Sequence, residues 1–223
     1  MKNSQPSSLK RENSAAIWAL AFVDACLVAV VFGLVDFKHF GTTDAAVFGL
    51  LRAAGAAAIG PIAAVFLNDV ISSDLKEIFV FWRIRHVLPG HRAFSVFSKS
   101  DSRIDIKKLK ARIGEFPKGP KEQNAEWYRL LRSHEQEISV ADAHRRFLLF
   151  RDCTALTLIL GLIACVASIL LGHGIETLGI LLAGTVVQFA WLALSARSVG
   201  FRLVRNVLAI ESHTTGAPER KRK

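Results

Sequence analysis

The chain has 223 residues, a net charge of +10 and 51% hydrophobic residues, with a mean hydropathy of +0.32. A soluble basic protein of this size spreads its apolar residues along amphipathic elements; here they are gathered into four long blocks, which read as transmembrane helices, with large buried core helices as the alternative. The three cysteines, Cys26, Cys153 and Cys165, lie in or at the edge of those blocks and read as small packing residues, with neither a disulfide framework nor a metal-binding spacing.

Residues 1–14 form a polar cytoplasmic tail, and Ser14 is placed to cap the first apolar block, Ala15–Val35. About 20 residues of helix cross a hydrocarbon core of about 30 Å, so this block is long enough to span. It is too long for the apolar region of a signal peptide, and no small-residue cleavage site follows it, so it reads as a retained span. Trp18 sits at the level of an interfacial aromatic. Asp24 falls near mid-bilayer, where an ionisable group costs about 2.5–3.5 kcal/mol and must face protein or water. It reads either as a protonated acid bonded between helices or as a functional group.

A short outer loop, 36–44, turns the chain into the second block, Ala45–Leu67, which carries Arg52. Counting helical rise places Asp24 roughly 14 Å and Arg52 roughly 24 Å from the cytoplasmic edge. A direct pair is therefore strained, Arg52 can snorkel outward, and Gln188, near the level of Asp24, is the better polar partner. Ala53 to Ala58 and Gly60 make a small-residue face for close packing, and Gly60-Pro61 supplies a kink or hinge.

Residues 68–152 form a basic cytoplasmic domain. Ile71, Leu75, Ile78, Phe79 and Trp82 keep a helical period that predicts a helix as far as Leu88, ended by Pro89-Gly90. It either prolongs span two or lies on the membrane surface with Phe81 and Trp82 among the headgroups. IDIKKLKARIGEF predicts a short helix closed by Gly114, PKGPKEQN a loop, and NAEWYRLLRSHEQEI a helix with Trp127, Leu130, Leu131 and Ile138 inward. VADAHRRFLLFRDCTAL begins outside the membrane and runs unbroken into the third block, Cys153–Leu171, and a tight LGHGIE turn leads to the fourth, Thr177–Ala196. The tail 197–223 predicts a basic amphipathic interfacial helix with Val199, Leu203, Asn206, Val207 and Ile210 on one side.

Lysine and arginine number 3 in residues 1–14, 1 in the 36–44 loop, 17 in 69–151, none in 172–176 and 7 from Arg197 onward. That bias puts both termini and the middle segment in the cytoplasm of a multi-pass protein of the inner (plasma) membrane. The expected fold is an all-α membrane protein: four transmembrane helices in two antiparallel hairpins, 15–67 and 153–196, with a helical cytoplasmic domain inserted between helices 2 and 3.

Catalytic patterns fail on inspection. Lys76 and Arg83 have the spacing of the first lipid-phosphatase motif, and Pro89-Gly90-His91 resembles part of the second. However, Ile84 replaces the motif proline, the serine is missing, and the motif carrying the nucleophile is absent. His86, His91, His134 and His144 stand on separated segments and read as scattered polar residues, and there is no phosphate loop or nucleophile elbow. The expectation is a non-enzyme with no cofactor and no metal. The basic segment, with Arg83, Arg85, His91, Arg92 and Arg103, is expected to meet anionic lipid, a phosphorylated or nucleic-acid signal, or an acidic protein.

Four short-looped spans with one basic cytoplasmic domain resemble the small membrane effectors of bacterial anti-phage and abortive-infection systems. The resemblance is one of layout, and it implies homo-oligomerisation and activation by a soluble partner. The expected function is therefore an effector or channel-like protein that answers a cytoplasmic signal and alters the membrane, with Asp24, Arg52 and Gln188 as pore candidates. The alternatives are an anchor that recruits a cytoplasmic enzyme, or a small transporter.

Overall fold

The computed structural model describes residues 9–32 and 62–214. Arg52, Gly60, Pro61 and most of the second apolar block lie outside the described residues. Every regular element among those described is helical: α1 (Leu9–Val31), α2 (62–70), α3 (Ser73–Phe81), α4 (Ile106–Ile113), α5 (Pro120–Ser133), α6 (Ile138–Leu170) and α7 (Ile175–His213), with 3-10 turns at Pro89–Arg92 and Phe97–Lys99. Three of them, α1, α6 and α7, are long and apolar enough to cross a membrane. At 1.5 Å per residue, the 33-residue α6 is roughly 50 Å long and the 39-residue α7 roughly 58 Å, well beyond a hydrocarbon core of about 30 Å.

The chain divides into two compact units, residues 1–79 with 148–194, and residues 80–147 with 195–223. In the first, Ile17 and Ala21 of α1, Ala64 of α2, and Cys153, Leu156 and Leu160 of α6 form a buried cluster. A second cluster joins Ala164 and Cys165 to Leu181 of α7, with Val28 and Val31 packed against it. The outward faces are as apolar as the core: Phe22, Leu162 and Trp191 are 67%, 66% and 74% exposed. Contiguous apolar surface of this extent fits a lipid environment and not water. Gly172, at φ +73°, makes the sharp reversal between α6 and α7 that an L side chain resists.

The second unit is a helical domain with its own core. Phe81 stacks on Phe147 (5.9 Å) and Phe201 (6.0 Å), and Phe97 also meets Phe201 (5.1 Å). Gly200 lets these rings close in, since a Cβ there would stand 3.0 Å from Phe81 and 3.3 Å from Phe147. Asp105 caps α4 by accepting from the Lys108 N–H (3.0 Å), and Gly114 at φ +85° ends it, as the sequence predicts.

Elsewhere the structure departs from the predicted elements. The helix expected to reach Leu88 breaks at 71–72 and stops at Phe81, because Trp82 takes φ +52°. The Arg197 guanidinium lies over the Trp82 ring (4.2 Å) and donates to the Val80 carbonyl (3.1 and 3.2 Å), supplying the partner that a helix C-terminus lacks. Phe81, expected among headgroups, is 4% exposed in the core. The expected PKGPKEQN loop is half helix: Pro120 opens α5, where its missing N–H costs nothing, and Glu122 reaches back to the Gly119 N–H (2.8 Å). Ile138, expected inward, is 86% exposed at the start of α6, beyond the turn at 134–137. Ser14 lies inside α1 and does not precede it.

The tail expected as a separate interfacial helix is the continuation of α7. Its apolar stripe of Val199, Leu203, Val204, Val207 and Leu208 is buried within the second unit. Amphipathic periodicity shows that a face is covered but not by what, and here protein covers it. The second compact unit thus comprises 80–147 together with the chain from Ser195 onward.

Candidate functional site

Four sets of polar side chains stand out. The first lies among the apolar helices. Asp24, 7% exposed on α1, accepts a hydrogen bond from Gln188 Nε2 of α7 at 2.8 Å, the partner its level in the sequence pointed to. The pair borders a cavity of about 270 Å³, lined also by Thr157 and Gly161 of α6 and by Gly184 and Thr185 of α7. Thr185 is satisfied within its own helix through the Leu181 carbonyl (2.8 Å), whereas Thr157 Oγ1 is buried with no hydrogen-bond partner. In an apolar bundle such groups are costly and mark places where water, an ion or a polar ligand lowers the free energy. Thr157 and Thr185 were not among the predicted residues, since threonine in an apolar run carries little signal of its own.

A second group joins α3 to the middle of α6. Lys76 Nζ meets Asp152 Oδ1 at 3.3 Å, with both side chains nearly sealed from solvent (4% and 3% exposed). Arg151 binds the same oxygen at 3.0 Å and approaches Glu77 at 3.8 Å. Burial holds the Glu77 carboxyl above its ordinary pKa, partly offset by Arg151. Two cations and two carboxylates thus neutralise one another inside the first unit. The sequence carried no sign of this, because the partners are about 75 residues apart.

The predicted ligand residues Arg83, Arg85, His91 and Arg92 fall on one short segment, 82–92, in the second unit. His86, at φ +51°, folds it back so that its ring stands 5.1 Å from that of His91. His91 Nδ1–H donates to the Leu88 carbonyl (3.2 Å). Burial lowers the His91 pKa below 6.5, against that hydrogen bond, and His86 and Arg92 lower it further. Burial and then the Arg83 charge lower the pKa of Arg92. Arg103 is engaged separately, gripping Asp101 (2.7 Å) and reaching Asn206 (3.2 Å). That grip holds the Asp101 carboxyl down at about 2.

Elsewhere in this unit, Glu211 of α7 accepts from Arg112 Nε (2.9 Å) and His134 Nε2 (2.6 Å), with all three side chains at least four-fifths buried. An ionised carboxylate only accepts, so the proton sits on His134 Nε2. His134, which reads in the sequence as a scattered polar histidine, is a structural member of this buried network. No family model matches this chain, and no curated protein or solved structure proves similar to it.

Proposed function

We propose that the chain is a multi-pass inner-membrane effector with four spans and both termini in the cytoplasm, whose helical bundle passes ions or water when the basic cytoplasmic domain is engaged. The observation that carries this is the Asp24–Gln188 pair, joined by Thr157 and Thr185, at an otherwise apolar cavity among apolar helices. An acid kept in a span at a cost of about 2.5–3.5 kcal/mol fits a polar passage better than a bare anchor, which has no use for it. One copy has too few helices to enclose a pore, so the working form is a homo-oligomer. The open positions at Gly179 and Gly184, with nothing within 4 Å of where a side chain would stand, suit close helix approach. The layout that resembles anti-phage effectors accords with this reading, and a phage challenge of expressing cells tests that role.

The direct test expresses the full chain and follows membrane potential with a voltage-sensitive dye, alongside ion release from liposomes holding the purified protein. Depolarisation that is abolished or altered by Asp24→Leu and by Gln188→Leu supports the reading. Unchanged potential together with tight liposomes for the wild-type chain refutes it and leaves the anchor reading, in which partner recruitment fails when Arg83, Arg85 and Arg92 are neutralised.

A further inference from the structure

We propose that the segment from Trp82 to Arg92 is a phosphate-binding site, and that its ligand is the headgroup phosphate of an anionic phospholipid. Arg83, Arg85, His86, His91 and Arg92 lie within ten residues, and among the described residues no carboxylate pairs with any of them. Their neighbours in the same unit differ. Arg103, Arg112, Arg129, Arg145 and Arg146 each hold an aspartate or glutamate. Arg132, Arg197 and Arg205 of this unit bond a hydroxyl or a carbonyl and, among the described residues, no carboxylate, so what distinguishes the 83–92 set is that its cations are gathered on one short segment without an anion.

The backbone gathers the set. Trp82 and His86 both take positive φ, +52° and +51°, a conformation that costs an L residue free energy and concentrates where function keeps it. The two reversals bring the His86 and His91 rings to 5.1 Å. The far end of the segment is fixed. Pro89 and Gly90 are buried against α5, so tightly that a Cβ at Gly90 would collide with the Asn124 side chain and stand 2.7 Å from the Trp127 ring. Arg92 lies beside the Phe97 ring at 6.0 Å, and its Nε is closed off from solvent with no acceptor. The terminal N–H groups of such a guanidinium can donate to phosphate oxygens, and charge-assisted bonds of this kind are about twice as strong as neutral ones.

The source of the phosphate follows from the apolar residues between the cations. Ile84, flanked by Arg83 and Arg85, is 87% exposed, and Trp82 is 56% exposed. A soluble phosphorylated ligand gives an isolated isoleucine nothing to bury against. A membrane surface takes the isoleucine and tryptophan at the interface while the arginines meet the headgroups.

The test reads lipids retained by the full-length protein in native mass spectrometry, after purification from nanodiscs of phosphatidylcholine alone or mixed with phosphatidylglycerol. A titration of inorganic pyrophosphate in the neutral nanodiscs forms a second arm. The expected result is selective retention of phosphatidylglycerol, falling roughly fivefold for each of Arg83→Gln and Arg92→Gln, the worth of one basic residue at an anionic surface. Ile84→Ser should weaken retention while leaving every charge in place. Circular dichroism melts of the same variants separate loss of binding from loss of fold, because Arg83 and Ile84 are exposed and should leave stability unchanged. Equal retention of the two lipids, or retention that survives both arginine variants, overturns the site. Saturable pyrophosphate binding in neutral nanodiscs overturns the lipid source.

Discussion

Replacing Glu211 by alanine should destabilise the second unit, by an amount the geometry sets. Its side chain is 6% exposed and holds two partners, Arg112 and His134, whose own side chains are 16% and 10% exposed. Removing one member of a buried charge pair typically costs about 3–5 kcal/mol, because the other charge stays behind without compensation. Arg112 keeps a bond to the Thr214 carbonyl at 2.9 Å, which places the expected loss near the lower end, about 3 kcal/mol. At about 2–4 °C per kcal/mol for a chain of this length, thermal unfolding in detergent should come about 6–12 °C earlier at neutral pH. Glu211→Gln preserves the shape and should fall between alanine and wild type.

The pH dependence sharpens the test. Burial raises the Glu211 pKa, yet the hydrogen bonds from His134 and Arg112 outweigh burial and leave it below 4.5. A carboxyl lowered in the folded state stabilises fully above its unfolded pKa, and that stabilisation is lost as pH falls through the lower folded value. The gap in melting temperature between wild type and Glu211→Ala should thus hold from neutral pH down to near 4.5 and narrow below it. A variant that melts within about 1 °C of wild type at neutral pH, or a gap that widens on acidification, would refute the reasoning.

Two further outcomes follow from the first unit. Lys76→Met leaves Asp152 buried with Arg151 alone and should cost about 1–3 kcal/mol in a detergent melt, part of it recovered in the double variant Lys76→Met/Asp152→Leu; a double variant less stable than the single one would mean that Arg151 alone compensates Asp152 and would refute the expected cost. Gly161→Ala puts a Cβ into the Thr185 methyl and hydroxyl, with Thr185 Cβ at 2.9 Å, so overpacking of about 1–3 kcal/mol should separate α6 from α7, and Thr185→Ala should relieve it. An unchanged melt for Gly161→Ala alone would show that the two helices do not pack as described.

Local signals proved legible where the deciding group is close in the chain. Asp105 and Gly114 mark both ends of α4 within a few residues, and the apolar blocks of α1, α6 and α7 report length and solvent directly, since crossing a bilayer is a requirement on composition alone. The Asp24–Gln188 contact was legible for a related reason: depth in a bilayer is a single coordinate, and counting rises recovers it. The polar networks were not. Lys76 with Asp152, and Arg112 and His134 with Glu211, are single residues in unremarkable contexts, separated by 76, 99 and 77 positions. No period or motif connects them.

By itself, then, the sequence determined that this is a helical chain with segments long and apolar enough to cross a membrane, because burying apolar blocks in lipid depends on which residues are present and in what order. Tertiary structure alone decided where α3 ends, since Trp82 leaves the helix only with Arg197 stacked on it from 115 positions away. It likewise decided that the basic tail belongs to a packed domain, because an amphipathic stripe specifies only that something apolar must cover it.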